Sequence, residues 1–165
     1  SKDGLIIAAG IARMYGISAN YTEAYNRFDA IISAPSIPAD VKAYTLIYQI
    51  LTYSEGQVFA PNAELINAVN DLLITHDLSR LRPLYDSIVA DYYQSVSAFD
   101  LALHFYEKSL KGAQAANQRI LESDNLYAIG ILYRNLGNYD KAIIYLERAV
   151  EHVNLIVELL AIGAQ

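Results

Sequence analysis

The sequence predicts an all-α fold, organised as about four antiparallel helix hairpins. Apolar residues recur at spacings of three and four along most of the chain, which is the period of amphipathic helices. No stretch shows the alternation of apolar and polar residues that is typical of a half-buried strand. Proline, which ends or kinks helices, is confined to Pro35, Pro38, Pro61 and Pro83, and each of these positions suits a break between helices.

The first hairpin is predicted over residues 5–38. In its second helix, Ala24, Phe28 and Ile31 recur along one face. This stripe is expected to pack against the helix that precedes it.

The second hairpin is predicted over residues 39–76 and has the least regular pattern. Its first helix is predicted from Val41 to Tyr53 and its second from Asn62 to Thr75. The connection, Ser54 to Pro61, is longer than a tight turn between helices.

The third and fourth hairpins, predicted over residues 83–116 and 123–156, repeat each other at an offset of 40 residues. Equivalent positions carry small or aromatic side chains in both copies. The pairs are Ala90 with Gly130, Tyr93 with Tyr133, Ala102 with Ala142, and Ser109 with Ala149.

The segment from Leu126 to Val150 resembles a tetratricopeptide repeat (TPR). The positions that carry the resemblance are Leu126 (in place of the usual Trp), Ile129, Gly130, Tyr133, Gly137, Ala142, Leu146 and Ala149. The resemblance implies a right-handed α-solenoid of antiparallel hairpins, here with about four repeats.

Three residues of this segment have a specific packing role. Gly130 and Ala142 are small, so two antiparallel helices can approach closely at their level. Gly137 is expected to end the first helix in a left-handed conformation.

In the TPR family the first helices of the hairpins line a concave groove in which partner peptides bind. The residues that the resemblance places in such a groove are Arg13, Tyr44, Tyr48, Asp91, Gln94, Tyr127, Ile131, Arg134 and Asn135. Gln94 and Asn135 are expected to pair with a peptide backbone, and Arg13 and Arg134 to hold a carboxylate. The basic clamp that some family members use for chaperone tails is incomplete, because its places hold Asp91 and Ile131.

Composition excludes several other functions. The net charge of −6 argues against nucleic acid as a partner, and no apolar run is long enough for insertion into a membrane. The chain has no Cys, which removes thiol catalysis and Cys-ligated zinc. His104 and Glu107 share a helix face, but a di-iron site needs two Glu-x-x-His motifs, so we interpret them as solvated surface. With no catalytic motif either, we expect no enzymatic activity, no cofactor and no metal.

The expected partner is therefore a peptide or protein segment. The 40-residue spacing resembles bacterial regulatory TPRs, which predicts a sensory or regulatory input domain of a signalling protein. Two alternatives stay open: a structural scaffold or oligomerisation module, and the peptide-sensing half of a quorum-sensing transcription regulator. A domain without Cys suits either side of a membrane, but the absent Cys, together with a sequence that stops where a further repeat would begin, slightly favours the periplasmic or extracytoplasmic sensor over a cytoplasmic protein.

The C-terminal segment is apolar where the end of a solenoid is usually polar. By the 40-residue offset, residues 157–165 are expected to start a further helix or to form a cap. We expect this chain to be a piece of a longer protein with more repeats. We also expect the isolated piece to self-associate through Leu155 to Ala164.

Overall fold

The computed structural model describes residues 2–56 and 63–163, and within them the predicted all-α fold is confirmed. These residues form eight α-helices and one 3₁₀ turn, and none lies in a strand. The elements are α1 (Lys2–Ile17), α2 (Tyr21–Ile32), α3 (Ala39–Gly56), α4 (Ala63–Thr75), the 3₁₀ turn (Ser79–Leu81), α5 (Arg82–Ser95), α6 (Phe99–Ala115), α7 (Arg119–Asn135) and α8 (Tyr139–Gly163). Within each of the two units described below, consecutive helices pack as adjacent pairs, in the manner of TPR-like hairpins.

The chain divides into two compact units, Ser1–Leu81 and Arg82–Gln165. In the first unit α1 packs against α2, and α3 packs against both of them as well as against α4. Phe28 and Ile47 are fully buried in this unit. The backbone of α1 comes close to α3 at Gly16, where an added Cβ would lie 2.6 Å from Cγ2 of Thr52.

The degenerate second hairpin is present in the first unit as α3 and α4. Helix α3 continues to Gly56, beyond the predicted end at Tyr53. Helix α4 covers Ala63–Thr75 of the predicted second helix, whose predicted first residue, Asn62, lies outside the described residues. The rest of the predicted loop, residues 57–61, lies outside the described residues.

The second unit contains α5 to α8, whose inner faces share one apolar core. Its buried members are Ala90, Ala102, Tyr106, Leu110, Leu126, Ile129, Leu132 and Ala149. Small residues allow the close approach of helices that the sequence predicted. An added Cβ on Gly130 would lie 2.7 Å from Cγ of Leu146 and 3.3 Å from the carbonyl oxygen of Ala142, which confirms the expected close contact of α7 with α8.

A chain of buried polar contacts links α5, α6 and α7 within this core. Ser109 donates a hydrogen bond of 2.6 Å to the carbonyl oxygen of Pro83. Nδ2 of Asn125 in turn donates to Oγ of Ser109 at 2.7 Å. Because buried polar groups are costly unless they are paired, these bonds fix the register of three successive helices.

The turns that follow α1, α4, α5, α6 and α7 share one geometry, and the last four of them occur at a regular interval. Asp77, Ser97, Asn117 and Gly137 all have positive φ, and each follows the previous one by 20 residues. After each of them, the next amide donates to a carbonyl five residues earlier at 2.8–2.9 Å, which is the Schellman helix stop. Ala19 occupies the same place after α1. The 40-residue repeat is therefore two 17-residue helices, such as α6 and α7, each followed by a turn of three residues.

Helix α8 departs from this interval. The next turn in the series would fall at Val157, but α8 continues without a break to Gly163. A β-branched residue strongly disfavours positive φ, so Val157 suits a continuing helix and not a turn. Residues 157–163, predicted as the start of a further helix or a cap, are thus the last two turns of α8.

Candidate functional site

Helix α7 presents an exposed stripe of mixed chemistry, which we call the α7 face. Its members recur at intervals of three and four residues and are Ile120, Asp124, Tyr127, Ile131 and Arg134. Ile131 is half-buried and the other four are exposed. Tyr127 keeps 58% of its surface accessible, although the chain buries other aromatic residues. Asn135 adjoins the stripe at its C-terminal end and is exposed.

The opposite side of α7 holds the helix rigidly in the unit. Leu126, Ile129 and Leu132 are completely buried in the core that α7 shares with α6 and α8. Since the packed side fixes the helix, side chains of the α7 face are presented in a defined order along its axis.

The charges of the α7 face lie at its two ends. Arg134 and Asp124 are ten residues apart, which corresponds to about 15 Å along a helix. Nη2 of Arg134 donates to Oδ1 of Asn135 at 3.3 Å, so the guanidinium keeps other donors available. Partial desolvation of the carboxyl raises the pKa of Asp124 above its ordinary value.

The equivalent residues on α5 are occupied by contacts within the unit. Asp91 and Gln94 are half-buried, and both face the hydroxyl group of Tyr106 on α6. The hydroxyl donates to Oδ1 of Asp91 and lies 3.0 Å from Oε1 of Gln94. Burial, and secondarily the charge of Asp91, raises the pKa of Tyr106 far above its ordinary value.

Three predicted groove residues lie in the first unit. Tyr44 and Tyr48 are half-buried on α3, with ring centroids 4.4 Å apart and their hydroxyls hydrogen-bonded to each other. Burial, together with this bond, raises the pKa of Tyr44. Tyr48 also packs against the buried cluster of α1 and α2, and Arg13 is half-buried on α1. The nine predicted residues thus fall into three in the first unit and six in the second.

The first unit also contains a cleft of about 420 Å³. It is mainly apolar, and Ile6, Val41, Leu78 and Leu81 line it together with Tyr44. Asp40 stands at this cleft and forms an ion pair of 2.5 Å with Lys2, which lowers the pKa of the carboxyl. The cleft brings Tyr44 beside the 3₁₀ turn, a neighbour that repeat spacing does not indicate.

Sequence reasoning missed two members of the α7 face, Ile120 and Asp124. Both could have been found from spacing alone, because Asp124 lies one helical turn before Tyr127 and Ile120 one turn before Asp124. In the described part of the chain, no group of three or more His, Asp or Glu side chains is arranged to hold a metal ion.

Comparison with protein-family models gives a match that covers the helices just described. Residues 84–154, a little under half of the chain, match the tetratricopeptide repeat family. Residues 84–154 therefore form tetratricopeptide repeats. The match spans most of α5 to α8, so the α7 face lies inside the TPR segment.

The TPR match carries a general functional meaning. Repeats of this family are protein-interaction modules that bind a protein or peptide partner, and they are typically non-catalytic. Curated proteins and solved structures give no match to this chain. Among the described helices, none combines the length and the apolar character that crossing a membrane requires.

Proposed function

We propose that the α7 face of the TPR segment binds an extended peptide or an extended segment of a partner protein. The observation that carries the proposal is the exposure of Tyr127 and its neighbours on a helix whose other side is fully buried. An exposed tyrosine on a rigid support gives a large contact area at a low cost in side-chain entropy. Preorganised contacts of this kind lose little free energy on binding.

The order of side chains along α7 defines the ligand by its chemistry. Arg134 takes a carboxylate, either of an acidic side chain or of a chain terminus. Tyr127 and Ile131 receive apolar side chains in the middle, and Asn135 pairs with the peptide backbone. Asp124 receives a basic group at the other end. Since the two charges are about 15 Å apart, an extended ligand spans them with about five residues.

Other predicted groove residues have a smaller part in this proposal. Asp91 and Gln94 are already engaged by Tyr106, so they contribute to the wall of the site more than to its hydrogen bonding. Arg13, Tyr44 and Tyr48 belong to the first unit, where the cleft beside Tyr44 is a separate candidate for binding.

At the level of the whole protein, we propose that this binding is the sensory or regulatory input of a bacterial signalling protein. The proposal rests on the resemblance of the 40-residue repeat to bacterial regulatory TPRs, and the 17-residue helices α6 and α7 support it. The peptide-sensing half of a quorum-sensing transcription regulator remains a second proposal of the same kind. A scaffold role has separate support in the exposed apolar residues of α8, among them Val150, Val157 and Leu160.

The test is an array of peptides of about six residues, which covers the proposed span. The array places an acidic residue at one end, a basic residue at the other and apolar residues between them, in both orders. We expect the purified chain to select one order and Tyr127→Ala to lose at least about tenfold in affinity, the usual effect at a central aromatic contact. Tyr127→Phe should lose less, because the ring is retained.

The matched control is Ile144→Ala, an exposed apolar residue of α8 that is not part of the α7 face. It should bind the selected peptides like the unmodified chain. Equal binding by the unmodified chain and by Tyr127→Ala would show that the α7 face is not the site. Binding that depended only on Tyr44 would transfer the function to the cleft in the first unit.

A further inference from the structure

Helix α8 carries an exposed apolar stripe on the side that its neighbours leave open, which we call the α8 stripe. Its residues follow alternating spacings of three and four and are Ile143, Leu146, Val150, Val153, Val157 and Leu160. In heptad terms, every a position is Ile or Val, and Leu occupies two of the three d positions. This is the pattern that favours pairing of two helices. Five of the six are exposed, and Leu146 is half-buried against Gly130.

The same side of the preceding second helix, α6, is covered. Val150 is 60% exposed, whereas Leu110, its equivalent 40 residues earlier, is 8% exposed. Val153 is 49% exposed, whereas Ala113 is completely buried. In α6 this side is covered by α7, so the repeat itself indicates that a helix belongs on the α8 stripe.

The length of the stripe indicates which helix fits. A further 17-residue helix placed at the 40-residue interval would cover α8 in the way that α7 covers α6. This cover would extend to Val153, the equivalent of Ala113 in α6. The α8 stripe continues for two more members, Val157 and Leu160, on the part of α8 that extends beyond this register. Helix α8 is 25 residues, or about 37 Å, long, compared with about 25 Å for α7. A second α8 is long enough to cover the whole stripe.

We propose that the α8 stripe is a self-association surface, on which α8 of a second copy of this chain packs in a two-fold dimer. A two-fold contact places the same patch on both partners, so a stripe that is apolar along its whole length matches itself. Glu147 and Asn154 flank the exposed edge of the stripe, and Ala149 flanks the edge toward α7. Only Glu147 is charged among these three residues. The edges of the stripe therefore carry no series of like charges that would repel a second copy.

The proposal refines the expected self-association through Leu155 to Ala164. Val157 and Leu160 belong to that segment, and Ala164 lies outside the described residues. The stripe begins about three turns earlier than the segment, at Ile143, and it excludes Leu155. The dimer surface therefore includes the TPR hairpin itself.

Sedimentation velocity of this chain between about 1 and about 100 μM, the range in which weak dimers form, tests the proposal. We expect a monomer that converts to a dimer as the concentration rises. Val157→Glu places a charge in the seam, beyond the part of α8 that packs on α7, so the fold is retained while dimerisation weakens at least about tenfold. Ile143→Glu should act in the same way.

Ile144→Glu is the matched control, because Ile144 and Ile143 are neighbours with exposures of 54% and 55%. It should dimerise like the unmodified chain. A monomer at every concentration overturns the proposal, and so does a dimer that Val157→Glu leaves intact. Species larger than a dimer that are sensitive to Met14→Glu, on the exposed side of α1, would instead show a head-to-tail contact between different ends of two copies.

Discussion

Helices α5 and α7 are the first helices of successive TPR hairpins, and their residues correspond at an offset of 40. At equivalent places they carry Asp91 and Ile131, and then Gln94 and Arg134. The α5 pair is held by the hydroxyl of Tyr106, whereas the place of Tyr106 in the next hairpin is taken by Leu146. A leucine offers no hydrogen bond, so the polar groups of α7 remain available to a partner.

The difference shows that position in the repeat does not by itself decide which residues are engaged within the unit. Equivalent positions of α5 and α7 lie on the same side of their helices. The second helix of each hairpin determines whether the polar groups on that side are hydrogen-bonded within the unit. In α5 a phenol reaches across from α6, whereas in α7 the nearest side chain of the second helix at Gly130 is the apolar Leu146. Whether this side is available to a partner therefore depends on a pair of residues in two helices and not on the first helix alone.

The largest effect is expected when the support of the α7 face is broken. Gly130→Leu places a side chain where a Cβ would already lie 2.7 Å from Cγ of Leu146, and overpacking of this kind costs up to about 3 kcal/mol. Urea unfolding should show the loss in the free energy of unfolding. Gly10→Ala is the control, since nothing lies within 4 Å of its added Cβ, and it should be neutral or stabilising. Unchanged stability in Gly130→Leu would contradict the close packing of α7 on α8.

A smaller effect is expected when α5 is made to resemble α7. Tyr106→Phe removes the donor to Asp91, and the loss of a hydrogen bond to a charged group costs about 1.5 kcal/mol. At the same time it releases Gln94 for a partner. Denaturant unfolding measures the first change and peptide binding the second. If Tyr106→Phe were as stable as the unmodified chain, the contrast between the two helices would lose its physical basis.

The turns that end α5 and α7 should respond in opposite directions. Gly137 has φ +75°, so Gly137→Ala should cost about 1 kcal/mol, whereas Ser97→Gly relieves a non-glycine residue at φ +61° and should stabilise by a few tenths of that value. Thermal unfolding of the two variants gives the sign of each change. If both variants raised or both lowered the unfolding temperature, the turns at Ser97 and Gly137 would not share one geometry.

The smallest effect is a pH dependence at Asp124, whose place in α5 is taken by Leu84. Because its folded pKa is raised, the ionised carboxylate is less favourable in the folded state than in the unfolded state. Its contribution to stability is therefore lost as the pH rises through the raised pKa. Asp124→Asn should stabilise the chain at pH 7 by less than about 0.5 kcal/mol, since the residue is exposed and screened by solvent. Below the ordinary pKa range of Asp, the unmodified chain and Asp124→Asn should have equal free energies of unfolding. A difference in this free energy that is the same at every pH would contradict the raised pKa of Asp124.

Much of the second unit could be predicted from its sequence because small residues there act through sterics alone. Gly130, Ala142 and Gly137 have the roles expected of them, since the close approach of two backbones requires small side chains and positive φ favours glycine. The equivalent turns at Ser97 and Asn117 carry no glycine, so their geometry was not visible in the sequence.

The candidate site was less predictable, because the spacing of residues along the sequence does not indicate which side chains of two different helices contact each other. Asp91 and Gln94 were expected to face a ligand, and only the structure places Tyr106 against them. Similarly, Tyr44 and Tyr48 bond to each other on α3. The continuation of α8 through Val157 was also not predicted, since the alignment of repeats assumed a turn there.

The measurement that tests the proposed role of the α7 face most directly is a charge swap at Arg134. Fluorescence anisotropy would compare two labelled peptides that are identical except for an acidic or a basic residue at the position facing Arg134. We predict that the unmodified chain prefers the acidic peptide and that Arg134→Glu reverses the preference, by about tenfold in each direction for an ion pair at a binding surface. The same preference in both proteins would show that Arg134 does not contact the ligand and would contradict the assignment of the α7 face.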